Sequence, residues 1–178
     1  VPDVTLTNWK AADLNQDEVL NVFDLCLMKR VLIESVSEKH NILQDSDRWL
    51  WHVIEGSGEV VPDKETNSIT ANVTQTSPEN WQIESQIFDL SLKKNKTYLL
   101  SFDASCSNNT EIEVNLVRDT KDYPRYFTGY AALASSKKHF SFVIDDLPES
   151  FDDYYISLEY GAGTGSYLIS NLTLSEIS

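Results

Sequence analysis

The sequence predicts an all-β fold, a sandwich or barrel of short strands, with a short α-helical segment ahead of it. Three observations point there. From Trp49 onward, short runs of alternating apolar and polar residues recur at roughly ten-residue intervals. Turn residues separate them, among them Gly56-Ser57-Gly58, Ser77-Pro78-Glu79-Asn80 and Gly161-Ala162-Gly163-Thr164-Gly165. Upstream, residues 24–33 read D-L-C-L-M-K-R-V-L-I, a short apolar helix with a basic pair, and residues 34–41 offer only a weak second one. With 178 residues, 41% hydrophobic and 11% aromatic, the chain can pack one moderate domain plus an appendage.

The first element is a loop. Residues 13–24 read D-L-N-Q-D-E-V-L-N-V-F-D and place oxygen donors at positions 1, 3, 5, 9 and 12. That is the spacing by which an EF-hand-type loop wraps calcium. Asp13, Asn15 and Asp17 would give side-chain oxygens and Val19 its carbonyl. Asn21 would act directly or through water, and Asp24 would close the site in a bidentate way. Glu18 stands where Gly normally makes the sharp turn, which weakens binding if that turn needs a positive φ.

Loop and helix together resemble one calcium repeat of a dockerin, the module that plugs plant-wall-degrading enzymes into cellulosome scaffolds. Asp24 at position 12, then Leu25, Lys29-Arg30 and Leu32, is the dockerin version of the pattern. The resemblance covers roughly residues 9–35 and implies calcium as cofactor and cohesin as the partner of a complete dockerin. A dockerin has two such repeats and this chain shows one, so residues 1–35 are expected to be a partial dockerin. Residues 36–48 are expected as connector and residues 49–178 as the β-sandwich.

Composition excludes other classes. A formal net charge of −14 argues against nucleic acid and anionic membrane surfaces as partners. No apolar run is long enough to span a bilayer as a helix. Cys26 and Cys106 read as two buried free thiols rather than a disulfide framework, and no Cys/His cluster suggests zinc.

Strands are expected over residues 49–55, 68–73, 81–88, 97–104, 111–118, 125–132, 139–145, 154–160 and 167–175. Alternation assigns their faces. Ile83, Ile87, Ile112, Val114, Leu116, Ile156 and Leu158 point one way; Gln82, Glu84, Gln86, Glu113, Asn115, Tyr155 and Glu159 point the other. If successive strands cross between sheets, as in a jelly roll, the strands beginning near Trp81, Glu111 and Tyr154 share one sheet. Its outer face then carries the amides, carboxylates and phenol that suit sugar hydroxyls.

A second resemblance rests on these residues. Trp81-Gln82-Ile83-Glu84-Ser85-Gln86, Leu92, the run from Lys96 to Ala104, Ile112-Glu113-Val114 and Tyr126 resemble the jelly-roll carbohydrate-binding modules of the CBM4/9/22 type. The run from Tyr167 to Leu174 resembles that group's closing strand. The fold class is therefore an all-β jelly-roll sandwich with a short α-helical calcium-loop (half-dockerin) segment at the N-terminus. Where the family's closing strand often has an Asp that helps hold a structural calcium, this chain has Ser170.

The sugar-contacting candidates are Trp49, Trp51 and Trp81 for stacking, Gln82, Glu84, Gln86 and Asn115 for hydrogen bonds, and Tyr126, which the resemblance places toward the ligand. Each Trp is equally a natural core residue; at least one of Trp49 and Trp51 is expected to be exposed. Tyr123 and Tyr130 could rim a cleft. Glu84 and Glu113 could sit at glycosidase spacing, but an acidic chain makes such pairs by chance, and no nucleophile motif accompanies His40, His52 or His139.

The expected protein is a secreted, monomeric, non-catalytic module of a bacterial cellulosome. It would hold a linked enzyme on β-glucan or a hemicellulose of the plant cell wall. The competing class is a spacer sandwich that binds no sugar. For the calcium loop, isothermal titration of the chelated protein should show binding of one ion that Asp13→Ala and Asp24→Ala each abolish; unchanged binding in both variants rejects the site.

Overall fold

The computed structural model describes residues 40–177; the loop at 13–24 and the helix after it lie outside the described residues. Ten strands follow in order: β1 (Trp49–Val53), β2 (Gly58–Asp63), β3 (Ser68–Val73), β4 (Ile83–Leu92), β5 (Tyr98–Cys106), β6 (Thr110–Arg118), β7 (Arg125–Leu133), β8 (Lys138–Ile144), β9 (Phe151–Glu159) and β10 (Gly165–Glu176). They form two five-stranded sheets, β1-β4-β9-β6-β7 and β2-β3-β10-β5-β8, with antiparallel pairing throughout. The strands expected near Trp81, Glu111 and Tyr154 are β4, β6 and β9, and they do share a sheet.

Alternation puts one face of each strand inside. Ile83, Ile87, Val114, Leu116, Ile156 and Leu158 of the first sheet meet Leu100, Phe102, Ile169 and Leu174 of the second, all essentially sealed from solvent. At about 25 cal/mol per Å² of apolar surface, this interior is the main term holding the sheets together.

Three departures from simple alternation matter. β2 is a strand the sequence pattern missed, because Pro62 and flanking acids mask it. It lies at the edge of its sheet, where proline leaves no ladder bond broken. Gly58 opens it at φ +139°, and a Cβ there would sit 2.0 Å from the Asn72 carbonyl oxygen. In β4 the register shifts between Ile87 and Leu90, with Asp89 at φ 58°. Phe88 faces away from the core in phase with Glu84 and Gln86, and the bulge at Asp89 then returns Leu90 and Leu92 to the core. In β10 a second shift, between Ser170 and Thr173, accompanies Asn171 at φ 53°.

The connector expected over residues 36–48 is corrected in its later part. A 3₁₀ turn at Ile42–Asp45 packs Leu43 fully into the core. Asn41 fixes it: its Oδ1 accepts from the Leu43 and Leu174 amides at 3.2 and 3.0 Å, and its Nδ2 donates to the Leu172 carbonyl at 3.1 Å. The compact β unit thus starts at His40, not at Trp49. Asn41→Ala leaves these backbone groups without partners and should lower unfolding stability by about 1–3 kcal/mol in urea titrations; an unchanged midpoint would show the turn is held by Leu43 alone.

Candidate functional site

The outward face of the first sheet is a cleft. Register pairs Glu84 with Glu159 and Glu159 with Glu113, so three carboxylates form a row across β4, β9 and β6. A second row runs Gln86, Ser157, Asn115 and Thr128. Beyond it Phe88, Tyr155 and Val117 make a small apolar cluster separate from the core, with the two rings stacked at 4.5 Å. The cleft encloses about 580 Å³ and is also lined by His52, Trp81, Asp119, Tyr123 and Arg125. That is the size of an ordinary ligand pocket.

The middle of the two polar rows is not solvated, as an outer sheet face would be, although Gln86 and Glu113 are half-buried and Thr128 is exposed. Asn115 is fully buried, Glu159 is 2% exposed and Glu84 6%. Buried polar groups need partners. Thr128 donates to Asn115 Oδ1 at 2.7 Å, which leaves the Asn115 amide to donate to Glu159 Oε1 at 2.8 Å and Glu113 Oε1 at 3.3 Å. Arg125 reaches across from β7 and donates to the same two carboxylates, Nη2 to Glu159 at 2.9 Å and Nη1 to Glu113. Asn80 Nδ2 donates to Glu113 Oε2 at 3.1 Å. Glu84 accepts from Gln86 Nε2 at 2.9 Å and from the Ser157 hydroxyl. Glu159 Oε2 is buried with no partner among the described residues.

Charge follows from this burial. Burial pushes the Glu84 carboxyl up to about 7; the Ser157 hydrogen bond opposes the shift, and the neighbouring Glu159 adds to it. Burial raises Glu159 as well, against the pull of Arg125.

The predicted residues separate by position. Trp81, Glu84 and Gln86 line the cleft, and Asn115 lies in its floor. Trp81 would face the core if β4 began there. Instead Asn80–Gln82 form a 3₁₀ turn that carries Trp81 outward, 46% exposed and stacked 6.2 Å from His52. Gln82 is spent on that turn, accepting from the Glu79 amide at 3.3 Å. Trp49 is a core residue, its Nε1 donating to the Leu43 carbonyl. Trp51, 57% exposed, pairs with core-side Ser85 on the edge strand, so it lies on the side of β1 away from the cleft. Tyr126 sits at the register shift between β6 and β7 and packs edge-on against core Tyr154 at 5.4 Å. Tyr123 lines the cleft at 57% exposure, and Tyr130, opposite Glu113, extends its face.

Sequence reasoning missed His52, Phe88 and Arg125. His52 was recoverable, since it falls out of phase with Trp49. Phe88 was recoverable too, being in phase with Glu84 and Gln86; Arg125 depends on a contact made across strands, which leaves no local signal. Among the described residues no group of three or more His, Cys, Asp or Glu side chains is arranged to hold a metal.

A cleft with exposed aromatic side chains above a hydrogen-bonding floor has the make-up of a site for a neutral, hydroxyl-rich ligand, and the class is that of a non-catalytic carbohydrate-binding domain. The family model described as a carbohydrate binding domain, CBM_4_9, matches residues 49–159, and the chain belongs to that family. A CBM4 structure superposes with TM-score 0.63 at 20% identity, covering 74% of this chain and 88% of its own. The second N-terminal cellulose-binding domain of Cellulomonas fimi β-1,4-glucanase C gives 0.57 at 15%, covering 80% and 94%. The CBM22-1 xylan-binding domain of Paenibacillus barcinonensis Xyn10C gives 0.50 at 12%, covering 78% and 92%. At these identities the superpositions establish the fold. No curated protein matches the chain.

The raised Glu84 pKa has a stability consequence. A carboxyl that binds its proton more tightly when folded stabilises the fold below its unfolded pKa. That contribution disappears as pH rises through the folded value. Stability should therefore fall between about pH 4.5 and 7, by up to about 3 kcal/mol from Glu84. Urea unfolding across this window measures it, and a flat profile in wild type rejects the shift.

Proposed function

We propose that the cleft binds a single chain of plant cell-wall polysaccharide, β-glucan or a hemicellulose such as xylan, xyloglucan or mixed-linkage glucan. One observation supports this above the others. Trp81 and Tyr123, each about half exposed, line the same cleft as the buried polar floor. Sugar rings present apolar C–H faces to aromatic plates and hydroxyls to amides and carboxylates. His52 stacks on Trp81 and limits its rotation, so less entropy is lost when a ring docks. Each neutral hydrogen bond contributes only about 0.5–1.5 kcal/mol net, so affinity should be micromolar or weaker and nearly independent of salt.

The dockerin resemblance sets this module in a larger role. A secreted cellulosomal enzyme would carry it, calcium would order the loop at residues 13–24, and a complete dockerin would engage cohesin. The module, acting as a monomer, would keep a linked enzyme at high effective concentration on its substrate.

Affinity electrophoresis against soluble xyloglucan, mixed-linkage β-glucan and arabinoxylan tests the cleft. Trp81→Ala and Tyr123→Ala should each weaken retention about tenfold or more with little change in unfolding midpoint. Trp51→Ala should leave retention within about twofold. Trp49→Ala, a core deletion, should cost about 3–5 kcal/mol of stability. Full retention by the Trp81 and Tyr123 variants would put binding outside this cleft, and no retention of the wild type on any polymer would favour the spacer reading.

A further inference from the structure

The floor of the cleft holds an unbalanced hydrogen-bond account. Glu84 and Glu159 are direct cross-strand partners on β4 and β9. Three of their four carboxylate oxygens receive donors: Gln86 and Ser157 serve Glu84, while Asn115 and Arg125 both serve Glu159 Oε1. Glu159 Oε2 receives none and is sealed from water. Ser157 stands between the two acids, but a hydroxyl has one proton, and it is directed to Glu84. Two adjacent ionised carboxylates with one orphaned oxygen are costly in so dry a place.

We propose that Glu84 and Glu159 share one proton, and that the singly protonated pair is the form of the cleft that takes up glycan, making this pair a positioning element for the ligand. The proposal rests on the polysaccharide reading above. One added proton removes the like-charge repulsion across the β4–β9 register and supplies a donor where donors are short. The protonated floor also keeps Gln86, a cleft-lining amide tied to Glu84 Oε1, in place for a sugar hydroxyl. The upward shift of both carboxyls, from burial foremost, agrees with this geometry. The pair titrates as a unit, so the proton belongs to neither residue alone.

Other charged groups face the pair from each packed element. Glu113 on β6 adds negative charge, and Arg125 from β7 is divided between Glu113 and Glu159. Tyr155 on β9, raised by burial and then by Glu84, stays neutral. His52 on β1 lines the cleft as well. A pH profile alone therefore does not decide; the variants do.

The experiment uses the full chain with soluble xyloglucan, mixed-linkage β-glucan and arabinoxylan between pH 5 and 9. Alongside, glutamate ¹³Cδ shifts of the free protein follow the carboxyl titration. In wild type one glutamate signal should titrate near neutrality, and affinity should fall about tenfold per pH unit above that midpoint, as one-proton linkage requires. Glu84→Gln, isosteric with the protonated acid, should keep the low-pH affinity within about threefold and flatten the profile; His52→Asn should keep the slope. If Glu84→Gln fails to fold, Glu159→Gln carries the same comparison. The proposal is overturned if no glutamate titrates between pH 6 and 8, or if both glutamine variants keep the wild-type slope. Failure of all three polymers to bind at any pH overturns the polysaccharide reading and the linkage with it; the ¹³C titration then still decides whether the shared proton exists.

Discussion

The Arg125 guanidinium, laid across Glu113 and Glu159, is the contact on which the cleft depends. A sandwich buries one face of each sheet by hydrophobic packing and normally leaves the other to water. Here the middle of the second face of the β1-β4-β9-β6-β7 sheet is also withdrawn from water, with Glu84 and Glu159 buried in it and Glu113 half-buried beside them. An edge strand, β7, supplies the balancing cation. Because Arg125 is half committed to each acid, neither is neutralised fully, and the floor stays rich in acceptors.

The rest of the site is arranged around that floor. Asn115 takes the Thr128 hydroxyl on its oxygen, which orients its amide toward the carboxylates. Arg48 sits 4.5 Å above Phe88 and pairs with Asp89, so the residue at the bulge also holds the lid of the small apolar cluster. Fixed acceptors lie in the floor of the cleft, while Trp81 and Tyr123 line it with half-exposed rings.

Much of this was legible in the sequence, and the limits have physical causes. Side-chain alternation revealed which residues share a face, since period two survives wherever strands are regular; Glu84, Glu113, Asn115, Tyr155 and Glu159 were placed together on that basis. It failed where the backbone breaks period two. The Asp89 bulge turns Leu90 and Leu92, which counting in twos from Ile87 assigns outward, back into the core, and the 3₁₀ turn at Asn80–Gln82 carries outward Trp81, which the same count assigns to the core. Pro62 disguised β2 as loop. Alternation also reports direction but not depth: it could not show that Glu84, Glu159 and Asn115 are buried, because that depends on contacts made across strands, such as those of Arg125.

Asn41 has a mechanical consequence. Its side chain bonds to Leu172 and Leu174, and the His40 carbonyl accepts from the Ser175 hydroxyl. All three residues belong to β10, the middle strand of the second sheet. Tension entering the sandwich through His40 is thus delivered to a strand clamped on both sides, in the sheet that does not form the cleft. The cleft sheet meets the same turn through Trp49 of β1, which donates to the Leu43 carbonyl, so the anchor on β10 and the floor of the cleft lie on different sheets joined through that bond.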